Sequence, residues 1–217
     1  MVRDLFDLLF PPRVDERILR DVSVDDFLAK VAPRLAPDTR PGTVVLLSFG
    51  DPLVRAAIHE MKYHGSVHAR KLLSATLAEY LRDSDVGFTK SHITLVPIPL
   101  GEKRHEERGF NQVEEVARDA LAALARDENA SCTLEPDLLV RARETVSQVS
   151  LPRQEREENM RGAFLVSPKL EERRRIDPSR TYMVIDDVLT TGATLSAAID
   201  ALTSAGAKNI IPLALAH

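Results

Sequence analysis

The chain has 217 residues and a mass of 24.1 kDa, enough for one large α/β domain or for one domain with a small appendage. Hydrophobic residues make up 44% and charged residues 29% of the chain, a balance typical of a globular protein and not of a mainly disordered one. The net charge of -4 gives no overall attraction to nucleic acid or to an anionic membrane, so any polyanion site must be local.

Cysteine content and hydropathy bear on the compartment. The single cysteine, Cys132, excludes an intramolecular disulfide and a cysteine-built zinc site, and it favours a reducing cytoplasm. The apolar run at residues 1–10 contains Asp4 and Asp7, so we do not expect a signal peptide. No stretch approaches the roughly 20 apolar residues of a membrane-spanning helix. We therefore expect a cytoplasmic protein without a membrane contact.

The beginning of the chain differs in composition from the rest. Prolines stand at positions 11, 12, 33, 37 and 41, and a helical pattern runs around residues 27–35 with little β-branched sequence. We predict an N-terminal helical appendage over residues 1–42 and a main domain over residues 43–217.

From residue 43 onward, apolar β-branched runs alternate with helical patterns. Apolar residues at helical spacing predict helices near residues 53–61, 72–81, 113–124 and 193–204. The apolar runs predict strands at residues 43–49, 92–98, 134–140, 163–166, 182–185 and 209–215. This alternation predicts an α/β fold with a mostly parallel sheet flanked by helices.

Residues 141–159 are polar and rich in charge, and they lack a sustained apolar stripe. Such a long irregular segment is uncommon inside a compact domain unless it is functional. We therefore interpret it as a lid that closes over a ligand.

The most informative segment follows the apolar run 182–185. Asp186 and Asp187 end this run, and ligands of open parallel sheets bind beyond the carboxyl ends of strands. Residues 190–194 then offer consecutive amides, hydroxyls and a glycine at a helix start, which is typical of a phosphate site. Carboxylates repel phosphate, so the aspartates must bind hydroxyls or a divalent cation of the same ligand. A phosphorylated sugar with a free diol meets these requirements.

Other interpretations of the segment fit less well. It has no lysine and so lacks the nucleotide P-loop pattern, and no G-x-G-x-x-G follows any predicted strand. A phosphatase with a catalytic aspartate would need a second aspartate two positions on, where Val188 stands. A purely structural strand with an Asp-rich helix cap remains open, although such a cap does not need Thr-Thr-Gly.

Residues 182–194 resemble the thirteen-residue diphosphate-sugar motif of the type I phosphoribosyltransferases. The resemblance implies that fold, with a small hood, and phosphoribosyl diphosphate as donor with Mg²⁺ as cofactor. It implies that Asp186 and Asp187 are catalytic, contact the ribose hydroxyls and bind the metal. The implied donor-binding residues are Val188, Leu189, Thr190, Thr191, Gly192, Ala193 and Thr194.

Further short motifs are similar to those of the ComF family, the competence-protein group within the type I class. They lie at residues 8–11, 61–63, 96–99, 108–112, 141–151 and 159–164. Many members of that family carry a four-cysteine zinc module after the Phe-Pro segment, but the sequence from Arg13 onward has none. We therefore expect no zinc module, and a role that depends on it, such as docking to a DNA-uptake partner, is left in doubt.

Two more groups of residues are candidates for binding the diphosphate. The resemblance implies a pyrophosphate loop at Pro99, Leu100, Gly101, Lys103 and Arg104. Basic and amide side chains that suit a lid over phosphate oxygens are Arg108, Asn111, Gln112, Arg141, Gln148 and Arg156. For each of these the alternative is an ordinary solvent-facing charge or a basic surface loop.

The resemblance implies two alternative functions. The first is transfer of a phosphoribosyl group to a nitrogen acceptor with release of pyrophosphate, where the acceptor is a purine, a pyrimidine or ammonia. The second is a non-catalytic role, either in binding the diphosphate sugar or as an accessory factor in DNA uptake. The net charge and an aromatic content of 5% do not support single-stranded DNA as a partner. A homo-oligomer is left open.

Overall fold

The computed structural model describes residues 13–36, 42–83, 92–125, 132–143, 158–168 and 176–217. The helices in these ranges are α1 (Val14–Leu19), α2 (Val24–Leu28), α3 (Pro52–His64), α4 (Val67–Arg82), α5 (Glu102–Arg108), α6 (Gln112–Leu124) and α7 (Ala193–Ser204). The strands are β1 (Arg34–Ala36), β2 (Thr43–Leu47), β3 (Ile93–Pro97), β4 (Cys132–Leu134), β5 (Leu139–Arg141), β6 (Phe164–Val166), β7 (Thr181–Val188) and β8 (Asn209–Ala216). None of the helices in this described part is long and apolar enough to span a bilayer.

Six strands form one sheet in the order β1-β2-β8-β7-β3-β4. Within this order, β2, β8, β7, β3 and β4 are all parallel to one another. The edge strand β1 pairs antiparallel with β2. Strands β5 and β6 form a separate antiparallel pair. The predicted α/β class with a mostly parallel sheet flanked by helices is confirmed.

The main sheet is covered on both faces, which explains why its strands are apolar runs without polar alternation. On β7, Met183 and Ile185 belong to a buried cluster with α3, α4 and α6. The intervening Tyr182 and Val184 belong to a second cluster with α7 and the β5–β6 pair. The sheet is therefore the middle layer, and the carboxyl ends of its parallel strands meet at one edge.

One predicted strand is wrong. Residues 134–140 divide into the end of β4 and the start of β5, which belong to different sheets. Between them, the Leu138 amide donates to the Glu135 carbonyl at 3.3 Å and closes a turn. Pro136 lies inside this turn, and a proline has no amide to continue a ladder.

The prediction of a helix around residues 27–35 is only partly correct. Helix α2 ends at Leu28, and residues 34–36 form the edge strand β1. Pro33 explains the change, because a proline disfavours helical backbone in the residue before it. Leu19 and Phe27 are nonetheless buried in the same cluster as α3 and α4. The domain division at residue 42 stays a prediction.

A bidentate ion pair links the start of α1 to α3. The Arg13 guanidinium donates to both carboxylate oxygens of Glu60, with Nε–Oε1 at 2.9 Å and Nη2–Oε2 at 2.7 Å. Glu60 is only 1% exposed. The hydrogen bonds from Arg13 lower the pKa of Glu60 below its ordinary value, despite the opposing effect of burial. Glu60 therefore depends on Arg13 to remain charged inside the protein.

Replacing Arg13 with Met should lower the free energy of unfolding by about 1 to 3 kcal/mol near neutral pH, because a buried carboxylate loses its partner. The folded pKa of Glu60 is lowered, so the pair stabilises the fold above the unfolded pKa of about 4.3 and loses its effect as the pH falls. Urea unfolding should therefore show that Arg13→Met loses less free energy of unfolding, relative to the native chain, at about pH 4 than at about pH 7.

Arg17→Met is the matched control, since Arg17 is an exposed residue of the same helix, and it should cost less than about 0.5 kcal/mol. An equal deficit for Arg13→Met at both pH values would contradict this account of Glu60.

Candidate functional site

The acidic pair lies at the carboxyl end of the central strand. Strand β7 runs beyond the predicted 182–185 to Val188, because β8 pairs with it as far as the Val188–Ala216 register. Strand β3, on the other side of β7, pairs only up to Pro97. Asp186 and Asp187 therefore lie past the end of one neighbouring strand, where the sheet edge opens.

Backbone amides hold one oxygen of each carboxylate. Asp186 Oδ1 accepts from the Asp187 amide at 2.8 Å, and Asp187 Oδ1 accepts from the Val188 amide at 2.6 Å. Two such carboxylates fit Mg²⁺, which uses one or two carboxylates together with waters and substrate phosphate oxygens.

The turn after β7 leads directly into α7, a helix of 12 residues. Gly192 stands at the N-cap with φ +82°, a left-handed conformation that favours glycine. Within the turn, Thr191 Oγ1 lies 3.4 Å from the Ala193 amide, a long contact. Amides at a helix start attract anions. Of the predicted donor-binding residues, those that line the adjacent cleft are Val188, Leu189, Thr190, Gly192 and Thr194. Thr191 and Ala193 do not line it.

The cleft at this edge has a volume of about 880 Å³, within the usual range of small-molecule sites. Its walls come from the end of β7 and the start of α7, from the segment after β3, and from α3. The basic side chains that line it are Lys62, Lys103, Arg104, Arg108 and Arg141. The cleft thus combines an acidic pair, a helix N-terminus and several cations.

All five residues of the predicted pyrophosphate loop line the cleft. They do not form a single loop, however. Pro99, Leu100 and Gly101 are irregular, whereas Lys103 and Arg104 lie in the first turn of α5, with Gly101 at its N-cap. Lys103 and Arg104 are exposed and so are accessible to an anion in the cleft.

Four of the predicted lid residues line the cleft, and each belongs to a described element or its cap. Asn111 caps α6 by accepting from the Val113 amide at 3.1 Å, and its Nδ2 donates to the Ile98 carbonyl at 2.9 Å. Gln112 is 3% exposed and accepts from Arg108 Nη1 at 3.1 Å. The side-chain amides of Asn111 and Gln112 therefore hold this wall of the cleft in place.

The remaining lid arginines are oriented by aromatic rings. The Arg108 guanidinium lies over the Tyr63 ring at 5.5 Å, and that of Arg141 lies over the Phe164 ring at 5.1 Å. Arg141 Nε also donates to the Pro99 carbonyl at 3.1 Å. Gln148 and Arg156 lie outside the described residues, as does most of the segment 141–159.

Lys62 had no predicted role, but it lines the cleft beside the acidic pair. Its Nζ lies 2.8 Å from Asp187 Oδ1, and the two side chains are 18% and 20% exposed. Lys62 follows the buried Ile58 by four positions, so it lies on the apolar stripe of α3. A lysine on a buried stripe is the signal that could have identified it.

Burial, followed by the charge of Asp187, raises the pKa of Asp186 to about 7, although Lys62 and Arg141 oppose the shift. Near pH 7 both protonation states of this carboxyl are therefore populated. A perturbed carboxyl in a cleft is typical of a functional site, since selection for stability alone would not keep it.

Comparison with known proteins adds no relative. The chain matches none of the protein-family models against which it was scanned, and a search of curated proteins found no match. The fold defines the chain as an α/β protein with a mostly parallel sheet, and its cleft lies at the carboxyl edge of that sheet, where proteins with open parallel sheets bind their ligands.

Asp186→Asn should stabilise the protein at alkaline pH, because the native carboxyl must ionise in a buried position. Its folded pKa lies above the unfolded value of about 3.9, so the native chain loses stability as the pH rises from about 4 to about 7. We expect the stability gain of the variant over the native chain to be larger by about 2 to 4 kcal/mol at about pH 8.5 than at about pH 4. Thermal unfolding at both pH values measures this. The control is Asp200→Asn, an exposed position on α7, and identical shifts at both pH values would refute the assignment.

Proposed function

We propose that the chain is a type I phosphoribosyltransferase-like protein that binds phosphoribosyl diphosphate with Mg²⁺ and transfers the phosphoribosyl group to a nitrogen acceptor, releasing pyrophosphate. One observation carries the proposal. Asp186 and Asp187 lie beside the N-terminus of α7 in a cleft whose other walls carry Lys103 and Arg104. A ligand with a diol between two phosphate groups matches this distribution of charge.

The 5-phosphate fits the N-terminus of α7. Thr190, Gly192 and Thr194 line the cleft there, and the first amides of the helix provide donors to phosphate oxygens. The ribose hydroxyls then fall near Asp186 and Asp187, because carboxylates accept hydrogen bonds from hydroxyls and repel phosphate.

The diphosphate extends toward the segment after β3. Lys103 and Arg104 are exposed in the first turn of α5 and supply positive charge. Charge placed where a leaving group becomes negative lowers the barrier of the reaction. Asp186 and Asp187 would hold Mg²⁺, which when bound supplies charge neutralisation for phosphate oxygens.

The reaction exchanges one bond at the anomeric carbon of the ribose. The bond to the pyrophosphate oxygen breaks with its electron pair, and the lone pair of the acceptor nitrogen forms the new bond. Positive charge develops on the ribose ring, where the carboxylates of Asp186 and Asp187 stabilise it. The acceptor has space near the wall formed by Phe49, Ile58 and Tyr63.

Calorimetric titration with phosphoribosyl diphosphate and Mg²⁺ tests the proposal directly. We expect saturable binding to the native chain and a loss of at least about 100-fold in affinity for Asp187→Ala, since a carboxylate that binds hydroxyls and metal is removed. Asp200→Ala, on the exposed face of α7, should bind like the native chain.

If phosphoribosyl diphosphate does not bind to the folded native chain, the proposal is refuted. Binding without pyrophosphate release in a screen of nitrogen bases and ammonia would support the non-catalytic alternative, in which the same cleft only senses the diphosphate sugar.

The double variant Lys103→Met/Arg104→Met tests the placement of pyrophosphate. Loss of two cations should weaken inorganic pyrophosphate binding by about tenfold or more, and binding should depend less on salt than in the native chain. The control is Lys71→Met/Lys208→Met, which removes two exposed lysines that do not line the cleft. Equal pyrophosphate affinity in the two double variants would contradict the placement.

A further inference from the structure

Lys62 enters the site from α3, far from β7 in the sequence. Its ammonium forms a 2.8 Å ion pair with Asp187 Oδ1, and about four fifths of each side chain is buried. The helix that carries it is firmly placed, because the neighbouring Glu60 is bound by Arg13 and Met61 is buried in the core. The contact is therefore a built feature of the cleft.

The ion pair engages a carboxylate that a bound divalent cation would need. Asp187 Oδ1 already accepts from the Val188 amide at 2.6 Å, and Lys62 adds a full positive charge to the same oxygen. A divalent cation that binds this carboxylate meets strong repulsion from an ammonium a few ångströms away. Metal binding and the Lys62–Asp187 pair therefore compete.

Lys62 can leave its ion pair with Asp187 if a phosphate group takes the place of the carboxylate as its partner. A lysine ammonium is a point charge on a flexible stem, without the fixed geometry of an arginine fork. Lys62 lies in the last turn of α3 and lines the same cleft as the N-terminus of α7 and the basic turn of α5. A phosphorylated ligand in the cleft thus lies within the reach of this side chain.

We propose that Lys62 is a displaceable counter-ion of Asp187: it keeps a divalent cation out of the empty cleft, and it moves to a phosphate oxygen when the phosphorylated ligand arrives with its cation. This rests on the proposed function. Lys62 is then both a ligand-binding residue and the reason that metal enters only together with the ligand.

Mn²⁺ binding followed by electron paramagnetic resonance tests the first half without any turnover. In the absence of organic ligand, Lys62→Met should bind Mn²⁺ at least about tenfold more tightly than the native chain, because the competing charge is gone. Lys62→Arg, which keeps the charge, should exclude Mn²⁺ as the native chain does. Lys71→Met, an exposed lysine on α4, is the control.

The second half is tested by titration with phosphoribosyl diphosphate in the presence of Mg²⁺. Lys62→Met should bind the sugar at least about tenfold more weakly, since it lacks the cation that meets the phosphate. Unchanged Mn²⁺ affinity in Lys62→Met, or unchanged affinity for the sugar, overturns the proposal.

If Lys62→Met does not fold, the native chain provides the test. Its Mn²⁺ affinity should rise at least about tenfold when the diphosphate sugar is added, and an unchanged value overturns the proposal. Where Lys62→Met does fold, a native chain that does not bind the sugar removes the proposed function, while the comparison of Mn²⁺ affinity between Lys62→Met and the native chain still tests the counter-ion role.

Discussion

The pairing of β7 with β8 is the constraint on which the candidate site depends. The register continues from Thr181–Asn209 to Val188–Ala216, so the last residues of β7 are held as strand where β3 has already ended. This extension fixes the backbone of Asp186 and Asp187, and it leads directly into the turn before α7. Without it, the carboxylates would lie on an irregular loop, and neither their spacing nor their relation to the helix N-terminus would be defined.

Two adjacent carboxylates at a half-buried edge are unfavourable for the fold, and the raised pKa of Asp186 reflects this. The protein offsets the repulsion with backbone amides at 2.8 and 2.6 Å and with the ammonium of Lys62. Such strain is typical of sites shaped for a ligand, because a ligand with hydroxyls and a cation relieves it on binding. Under the proposed function, the electrostatic cost in the free protein and the affinity for the ligand would have the same source.

Local sequence signals predicted the strand before the acidic pair and the helix after it well. The helix at 193–204 has the predicted bounds, and the apolar run 182–185 is the core of β7, because glycine, threonine and apolar periodicity act over a few residues. Contacts between distant segments were not predictable in this way. The Lys62–Asp187 pair depends on how α3 packs against the sheet, and the extension of β7 past the aspartates depends on β8. The strand predicted at 134–140 is wrong because Pro136 interrupts the run between β4 and β5.

The N-terminal helices have a consequence for how the protein can be divided. Leu19 and Phe27 are 2% and 0% exposed, in the same cluster as Met61 and Leu72 of α3 and α4. A shortened chain that begins at the first parallel strand would uncover this apolar surface and leave Glu60 without its guanidinium. The outer surface of the helix that carries Lys62 would then be open to water and to self-association. A fragment chosen for its compact sheet would thus lose the support behind one wall of its own cleft.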